Sequence, residues 1–274
     1  MSTPRLRSVH VHPVKALRGH ALAEAEVQPW GLAGDRRWAV VDASGTVVTQ
    51  RRHPRMALAA AEPLPGGGIR LSAAGHRTLE VEEPRPSSTI RVEVFDTPVE
   101  AVPAGPAADA WLSDFLGAES RLVHMDDPAR RRPIDPEYAL PGETVSFADG
   151  YPLLVTTASS LDALNALIAQ GDHADEAPLP MNRFRPNVVV EGTSPWAEDG
   201  WTRLAIGEVT FRVAKACGRC VVTTTDQLTA ARGKEPLRTL ARHRRQGSRL
   251  IFGQNLVPEH PGTVRVGDEI KILD

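Results

Sequence analysis

Cysteine is almost absent from this chain of 274 residues, which has only Cys217 and Cys220. A disulfide framework needs several cysteines, and a structural zinc site needs two such pairs or one pair with nearby histidines. Neither set of partners is present, so both are excluded. Three interpretations of the pair stay open: a redox dithiol, a single thiolate ligand for a soft metal cofactor, and two small buried residues.

Long apolar runs and excess charge are missing as well. The formal net charge is −2, and no apolar run reaches membrane-spanning length, so we expect no membrane partner. The first residues lack the apolar core of a signal peptide, and with so few cysteines we expect a cytoplasmic protein. The sequence has neither an excess of basic residues nor a stripe of basic and aromatic residues, so we expect no nucleic-acid partner. The basic run at 242–245 is interpreted as a solvated face late in a helix.

Proline and glycine are plentiful, with 23 and 22 copies, and short β-branched runs lie between them. The runs are at 38–41, 46–49, 90–94, 187–190 and 209–213. Short strands separated by turn residues favour barrels or sandwiches over a doubly wound sheet. A hairpin turn is predicted at 42–45, and two closing strands are predicted between 261 and 273 around a Gly267-Asp268 turn.

Helical spacing is rarer than strand patterning. It predicts helices over 107–116, 159–169 and about 236–245, the second with Ser159 or Ser160 as its N-cap. The segment 126–141 is predicted to be an irregular connection, with a domain boundary near residue 120. The predicted fold is therefore mainly β with a few helices, of the α+β class, in two domains at 1–120 and 121–274.

Eight short motifs follow one another along the chain. They are His-Pro-Val-Lys at 12–15, Gly-Asp-Arg-Arg-Trp at 34–38, Thr-Gln-Arg at 49–51, Phe-Ala-Asp-Gly-Tyr-Pro at 147–152, Arg-Phe-Arg-Pro-Asn at 183–187, the cysteine pair with its threonines at 217–225, Lys-Glu-Pro-Leu at 234–237 and Phe-Gly-Gln-Asn at 252–255. Their order and spacing resemble the MOSC superfamily of molybdenum-cofactor proteins, in particular the mitochondrial amidoxime-reducing component and its bacterial homologues. The resemblance covers nearly the whole chain.

This resemblance implies an N-terminal MOSC β-barrel domain followed by a MOSC β-barrel domain that binds the molybdenum cofactor. By motif match, Cys220 is the metal ligand and the catalytic residue, and Cys217 is interpreted as a small buried neighbour. The cofactor-binding residues implied in the same way are Lys15, Ala16, Arg36, Asp149, Gly150, Tyr151, Arg185, Asn187, Gly218, Arg219, Cys220 and Asn255.

The residue types suit such a cofactor. A pterin that carries a dithiolene and a phosphate needs cationic and amide donors, and guanidinium groups offer theirs as a planar fork. A thiolate is the soft ligand that molybdenum favours, and Arg219 beside Cys220 would help to keep it deprotonated. The alternatives are ordinary surface charges, a strand cap for Asn187 and a plain structural turn at 149–151.

The implied reaction is the two-electron reduction of small N-hydroxylated compounds: amidoximes, hydroxylamines and N-hydroxylated base analogues. This chain has no cysteines for a two-iron cluster, so electrons are expected from a separate ferredoxin-, flavodoxin- or cytochrome b5-like protein and its reductase. Candidate proton donors, by residue type alone, are Asp226, His53 and Lys234.

Two departures from the family pattern bear on the site. Ala16 stands where the mitochondrial relatives have a serine, and Asn255 where they have a tyrosine. Two other functions are weighed against the reductase. One is a non-catalytic cofactor carrier of the sulfuration type. The other is a dithiol oxidoreductase acting through Cys217 and Cys220, for which a thioredoxin-like βαβ context is missing from the pattern.

Overall fold

The computed structural model describes residues 3–85 and 88–273. The strands are β1 (Arg5–Val11), β2 (His20–Leu22), β3 (Glu24–Gln28), β4 (Gly31–Leu32), β5 (Trp38–Asp42), β6 (Ala60–Pro63), β7 (Ile69–Ser72), β8 (Leu79–Val81), β9 (Ile90–Val94), β10 (Thr97–Pro103), β11 (Ser120–His124), β12 (Leu153–Thr157), β13 (Val188–Glu191), β14 (Arg203–Ile206), β15 (Val209–Gly218), β16 (Arg245–Gln246), β17 (Arg249–Pro258), β18 (Gly262–Arg265) and β19 (Ile270–Ile272). The α-helices are α1 (Pro106–Leu116), α2 (Pro128–Arg131), α3 (Ala158–Ala169) and α4 (Leu237–His243). Short 3-10 helices lie at Pro54–Leu58, Ala174–Glu176, Met181–Arg183, Ala197–Gly200 and Val221–Thr224.

The largest sheet has nine strands in the order β19-β14-β15-β17-β12-β13-β1-β2, with β16 paired to β17. Its β12–β13 pair is parallel, and α3 lies in the connection between them, as a parallel pair requires. A bulge between Leu6 and Ser8 shifts the register of β1. Because of it, Leu6, Val9 and Val11 all contribute to the same apolar core.

Three smaller sheets complete the architecture, in the orders β5-β11-β10-β9, β18-β3-β4 and β6-β7-β8. The prediction of a mainly β protein with a few helices is therefore confirmed. Strand β1 pairs with β13, which lies far beyond residue 120. The first segment of the chain thus belongs to the sheet of the second half, and the boundary at residue 120 stays a prediction.

Most predicted elements form, with three informative differences. The run at 46–49 makes only isolated bridges at Thr46 and Val47. Thr157, not Ser159 or Ser160, is the N-cap of α3, because its side chain accepts a hydrogen bond from the Ser160 amide.

The third difference concerns the two closing strands, which do not pair with each other. Strand β18 pairs with β3, and β19 pairs with β14. The chain turns at Gly267, where φ is +95°. This turn lets Val264 and Ile270 enter one core from two different sheets.

Glycine is required at position 253 in β17. Its φ is +79°, and a Cβ there would lie 2.6 Å from the carbonyl oxygen of Val155. The neighbouring Phe252 stacks on Phe184, with ring centroids 4.0 Å apart. Strand β17 is thereby held close to β12 and to the segment before β13. None of the helices formed by the described residues is long and apolar enough to cross a lipid bilayer.

Candidate functional site

A cavity of about 730 Å³ lies where loops from both halves of the chain meet. This volume is within the range of small-molecule and cofactor sites. All twelve residues that the sequence resemblance singled out line it, from Lys15 near one end of the chain to Asn255 near the other. Their assignment to the cofactor stays a prediction, but their convergence in one cavity is a feature of the fold.

Two segments that follow β1 and β4 hold each other and form one wall. The amide of Arg36 donates to the carbonyl of His12, and the amide of Lys15 donates to the carbonyl of Trp38, at 2.9 and 2.8 Å. The buried carboxylate of Asp35 accepts from the His12 amide at 2.7 Å and pairs with Arg36. The His-Pro-Val-Lys and Gly-Asp-Arg-Arg-Trp motifs are therefore two halves of one structural unit.

Asn187 connects this wall to the sheet. Its Oδ1 accepts from Arg36 Nη1 at 3.1 Å and from the Leu154 amide at 3.2 Å, and its Nδ2 donates to the His10 carbonyl. The residue is 1% exposed. Because its amide group is occupied by the protein, Asn187 positions Arg36 and joins neighbouring strands.

Backbone strain concentrates at the cavity. Seven non-glycine residues with positive φ occur in the described chain, and four of them line the cavity: Ala16, Arg36, Phe95 and Arg185. Such conformations cost free energy and persist where the surrounding structure imposes them, often at functional sites. At these four positions, the surrounding structure imposes the backbone conformation, and this conformation determines the direction in which the side chain leaves the backbone.

Charge in the cavity is strongly unbalanced. Its lining includes eight cationic side chains and two carboxylates. The cations are Lys15, Arg36, Arg51, Arg132, Arg185, Lys215, Arg219 and Arg249, and the carboxylates are Asp135 and Asp149. Burial lowers the pKa of Lys15 to about 8, although Asp149 opposes this shift. Burial, together with Arg36, lowers the pKa of Arg185 to about 9. Both cations are thus held in a place that disfavours their charge.

Two nitrogen atoms of guanidinium groups indicate whether an anionic cofactor would fit the cavity. Nη2 of Arg185 and Nε of Arg219 are buried and have no hydrogen-bond partner among the residues that the structure describes. An anion in the cavity would offset the clustered positive charge and could accept from such donors. The donor set therefore fits a phosphate-bearing pterin with several acceptor atoms.

Lys15 and Asp149 form the best-defined ion pair of the site. Lys15 Nζ donates to Asp149 Oδ1 at 2.5 Å and to the Phe147 carbonyl at 2.7 Å. Desolvation by the surrounding cavity walls would raise the pKa of Asp149, whose side chain faces the open cavity, but Lys15 and Arg51 outweigh it and lower that pKa. Arg132 fixes the same turn by donating to the carbonyls of Ala148 and Asp149.

Gly150, Tyr151 and Asn255 also line the cavity, and they differ in whether protein groups already contact them. A Cβ at Gly150 would meet no atom within 4 Å, so the backbone there is open to a ligand. The hydroxyl of Tyr151 is buried and has no hydrogen-bond partner within residues 3–85 and 88–273, and burial raises its pKa. Asn255 donates from Nδ2 to the carbonyl of Lys215 at 3.2 Å.

Cys220 lies beside a guanidinium, but it is that of Arg51. Burial opposes the charge of Arg51, whereas the nearby Asp149 and Cys220 side chains raise its pKa above the ordinary value. Arg51 also pairs with Asp149 Oδ2 at 3.4 Å. Arg51 therefore links the thiol to the carboxylate.

The interpretation of Cys217 as a small buried residue is wrong. Cys217 is partly exposed and lines the cavity, and its Sγ accepts from Arg219 Nη1 at 2.9 Å. Arg219 also donates from Nη2 to the Phe184 carbonyl. The β15–β17 ladder is irregular twice, between Val213 and Lys215 and between Ala216 and Gly218, and the second irregularity includes Cys217.

The three candidate proton donors do not line the cavity. Asp226 pairs with Arg183 at 2.9 Å and accepts from the amides of Leu228 and Thr229, while His53 and Lys234 lie elsewhere. Sequence reasoning missed Arg51, although it stands in the Thr-Gln-Arg motif, and it missed Arg132, which lies in the segment predicted to be irregular. Nothing in the local sequence around Phe95 indicated a place in the cavity.

Comparison with known proteins defines the class to which this cavity belongs. Residues 3–119 match the MOSC N-terminal beta barrel domain, and residues 142–271 match the MOSC domain. The chain therefore belongs to the MOSC family. Its relatives include proteins named amidoxime-reducing component and molybdenum cofactor sulfurase.

Particular relatives resemble the chain along most of its length. Mitochondrial amidoxime-reducing component 1 of Homo sapiens is 33% identical over 96% of this chain and 81% of that protein. Mitochondrial amidoxime reducing component 2 of Homo sapiens is 30% identical over 95% and 81%. Molybdenum cofactor sulfurase of Danio rerio is 30% identical over 92% of this chain but only 32% of that protein.

Proposed function

We propose that this protein is a molybdenum-cofactor-dependent reductase of N-hydroxylated compounds. The observation that carries the proposal is the placement of Cys220, partly exposed and next to Arg51, in a cavity with eight cations and two carboxylates. The similarity to human mitochondrial amidoxime-reducing component 1 over 96% of this chain supports the same choice.

In this proposal the chain's own residues bind and orient the cofactor. Cys220 is the thiolate ligand of the metal, and Arg51 is the cationic side chain beside it. Lys15, Arg36 and Arg185 hold the anionic parts of the cofactor, whose binding would also offset their mutual repulsion. When bound, the cofactor supplies the two electrons that cleave the N–O bond.

The overall reaction consumes two protons and two electrons and yields the amine or amidine and one water. Burial lowers the pKa of Lys15 Nζ to about 8, and this group is hydrogen-bonded to Asp149. The pair can therefore hold a proton inside the cavity at neutral pH. In this proposal, electrons come from a separate electron-transfer protein and its reductase.

Metal analysis and dye-driven turnover test the proposal together. Protein produced in a host that makes the cofactor should contain close to one molybdenum per chain. It should also reduce benzamidoxime with a reduced viologen dye. The control is the same protein from a host that cannot make the cofactor, which should be inactive with the same dye. A clean protein without molybdenum from the first host would refute the proposal.

A cofactor carrier is the second candidate, because the chain is 30% identical to molybdenum cofactor sulfurase of Danio rerio over 92% of its length. The reductase and the cofactor carrier are distinguished by whether the molybdenum-loaded protein reduces N-hydroxylated compounds. A carrier would contain molybdenum and yet reduce none of a panel of amidoximes, hydroxylamines and N-hydroxylated bases.

A further inference from the structure

The tip of the β9–β10 hairpin carries an aromatic residue in a strained conformation. Val94 pairs with Thr97, so Phe95 and Asp96 form a two-residue turn, with φ of +49° and +62°. A hairpin turn with positive φ at both central residues favours Asn-Gly or Asp-Gly. A phenylalanine at the first of these positions is disfavoured by its Cβ.

Packing in the core does not explain this residue. Val92 and Val94 of the same strand are buried in an apolar cluster with Val99, but Phe95 is 44% exposed and is not part of that cluster. A small polar residue would satisfy the turn at lower cost. An exposed, strained aromatic side chain at a cavity indicates a role outside folding.

The position of the ring indicates what that role is. Phe95 lines the same cavity as Cys220. The Arg51 guanidinium lies 4.8 Å from the ring centroid and Lys15 Nζ lies 5.0 Å from it, both within the range of cation–π attraction. These are the two cations that pair with Asp149, and Arg51 is also the partner of Cys220. The ring is therefore held beside the groups assigned to the reaction while part of its surface stays open.

We infer that Phe95 is a specificity-determining residue that contacts the planar group of an aromatic N-hydroxylated substrate. The inference rests on the proposed function and names a substrate class for it: aryl and heteroaryl amidoximes and N-hydroxylated bases, in preference to alkyl analogues. Aromatic rings attract one another in offset-stacked or edge-to-face arrangements, and an alkyl group forgoes this attraction.

Replacement of Phe95 by asparagine separates the ring from the turn. Asparagine tolerates positive φ, so F95N should fold at least as well as the parent protein. In the molybdenum-loaded protein with reduced viologen dye, F95N should raise the KM for benzamidoxime about two- to tenfold. The KM for acetamidoxime and both kcat values should stay within about twofold, and F95Y should restore the low KM for benzamidoxime.

Asp96 provides the matched control because it occupies the other positive-φ position of the same turn and is exposed. D96N changes the turn chemistry without removing the ring, so it should leave the ratio of the two KM values unchanged. A folded F95N protein with the parent ratio would overturn the inference, and so would a D96N protein that matches F95N.

Equilibrium binding keeps the inference separate from the proposed function. Benzamidoxime binding to the loaded, oxidised protein, measured by calorimetry without reductant, should weaken about two- to tenfold in F95N, whether or not turnover occurs. A parent protein that binds benzamidoxime more tightly than F95N but does not reduce it refutes the reductase and supports the contact. Equal binding by the parent and F95N refutes the contact, even if both proteins are active.

Discussion

The core under the nine-stranded sheet and the cavity both contain buried side chains, but of opposite chemistry. Leu6, Val188 and Phe211 are buried among apolar neighbours in the core, whereas the buried Lys15 in the cavity is a cationic residue. Burial stabilises the first region, since removal of apolar surface from water favours folding. Burial opposes charge in the second, as the lowered pKa values of Lys15 and Arg185 indicate. Burial in the sheet core therefore stabilises the folded state, whereas burial of charged groups in the cavity costs free energy that the rest of the fold must offset.

Conformation divides the two regions in the same way. No residue of the described core cluster under the nine-stranded sheet has a positive φ, while Ala16, Arg36, Phe95 and Arg185 in the cavity all do. The comparison teaches that substitutions in the core should change stability and spare the chemistry, and that substitutions in the cavity should do the reverse. Four experiments test this division.

The largest effect is expected from Phe211→Ala in the core. Phe211 is 0% exposed, so loss of its ring should lower the free energy of unfolding by about 3–5 kcal/mol. Urea unfolding measures this, and turnover per folded molecule should be unchanged. Ile272→Ala, at a residue that is 43% exposed, is the control and should change stability by less than about 0.5 kcal/mol. Loss of activity in a folded Phe211→Ala protein would break the division.

Cys220→Ser should have the opposite signature in the cavity. Loss of the proposed ligand should reduce dye-driven turnover of benzamidoxime by more than about 100-fold, while the unfolding midpoint of the cofactor-free protein stays the same. Cys217→Ser is the matched control, since Cys217 bonds to Arg219 in the same cavity. It should keep most of the activity. If Cys217→Ser abolishes turnover and Cys220→Ser does not, the ligand assignment is wrong.

Arg51→Met tests the link between the thiol and Asp149. Because Arg51 pairs with both, its loss should lower the molybdenum retained after dialysis about tenfold or more. Stability should change little, since the Arg51 and Asp149 side chains are 37% and 67% exposed. Arg52→Met, at the exposed neighbouring position, should retain metal like the parent. Equal retention by both variants would remove Arg51 from the metal site.

The smallest effect concerns the pH dependence of stability through Lys15. Its pKa is about 8 in the folded protein and 10.5 ordinarily, so above pH 8 the unfolded chain binds the proton that the folded chain has released. Rising pH therefore favours the folded state between these values, whereas below pH 8 both states are protonated and the contribution is constant.

The expected gain of the cofactor-free parent over Lys15→Met is at most about 1.4 kcal/mol per pH unit. Urea unfolding of both proteins at pH 7, 8 and 9 measures the difference between them. This difference should be flat from pH 7 toward 8 and then move in favour of the parent. A difference that is constant up to pH 9 would mean that burial does not disfavour the charge on Lys15.

Sequence patterns predicted elements better than they predicted partners. The run at 209–213 lies inside strand Val209–Gly218, and helix Pro106–Leu116 nearly coincides with its prediction, because both depend on local spacing. The pairing of Gly262–Arg265 with Glu24–Gln28 could not be predicted in this way, since nothing local encodes a partner that is distant in sequence.

The candidate site shows the same limit. Lys15, Arg185 and Cys220 stand in recognisable motifs, so their convergence was expected and was found. The partnership of Arg51 with Cys220 and the place of Phe95 depend on how loops from two halves of the chain meet. Cys217 was taken as packing because spacing alone does not reveal exposure.

The pairing of β1 with β13 has a consequence for how the chain is made. Val9 pairs with Val188, which leaves the ribosome 179 residues later. At about 5–20 residues per second, β1 waits roughly 10–35 seconds for this partner. During that interval a strand that carries Leu6, Val9 and Val11 has an open edge, which is the kind of surface that chaperones bind and that favours aggregation. The yield of folded protein in a cell should therefore depend on how fast the chain is translated as well as on how stable it becomes.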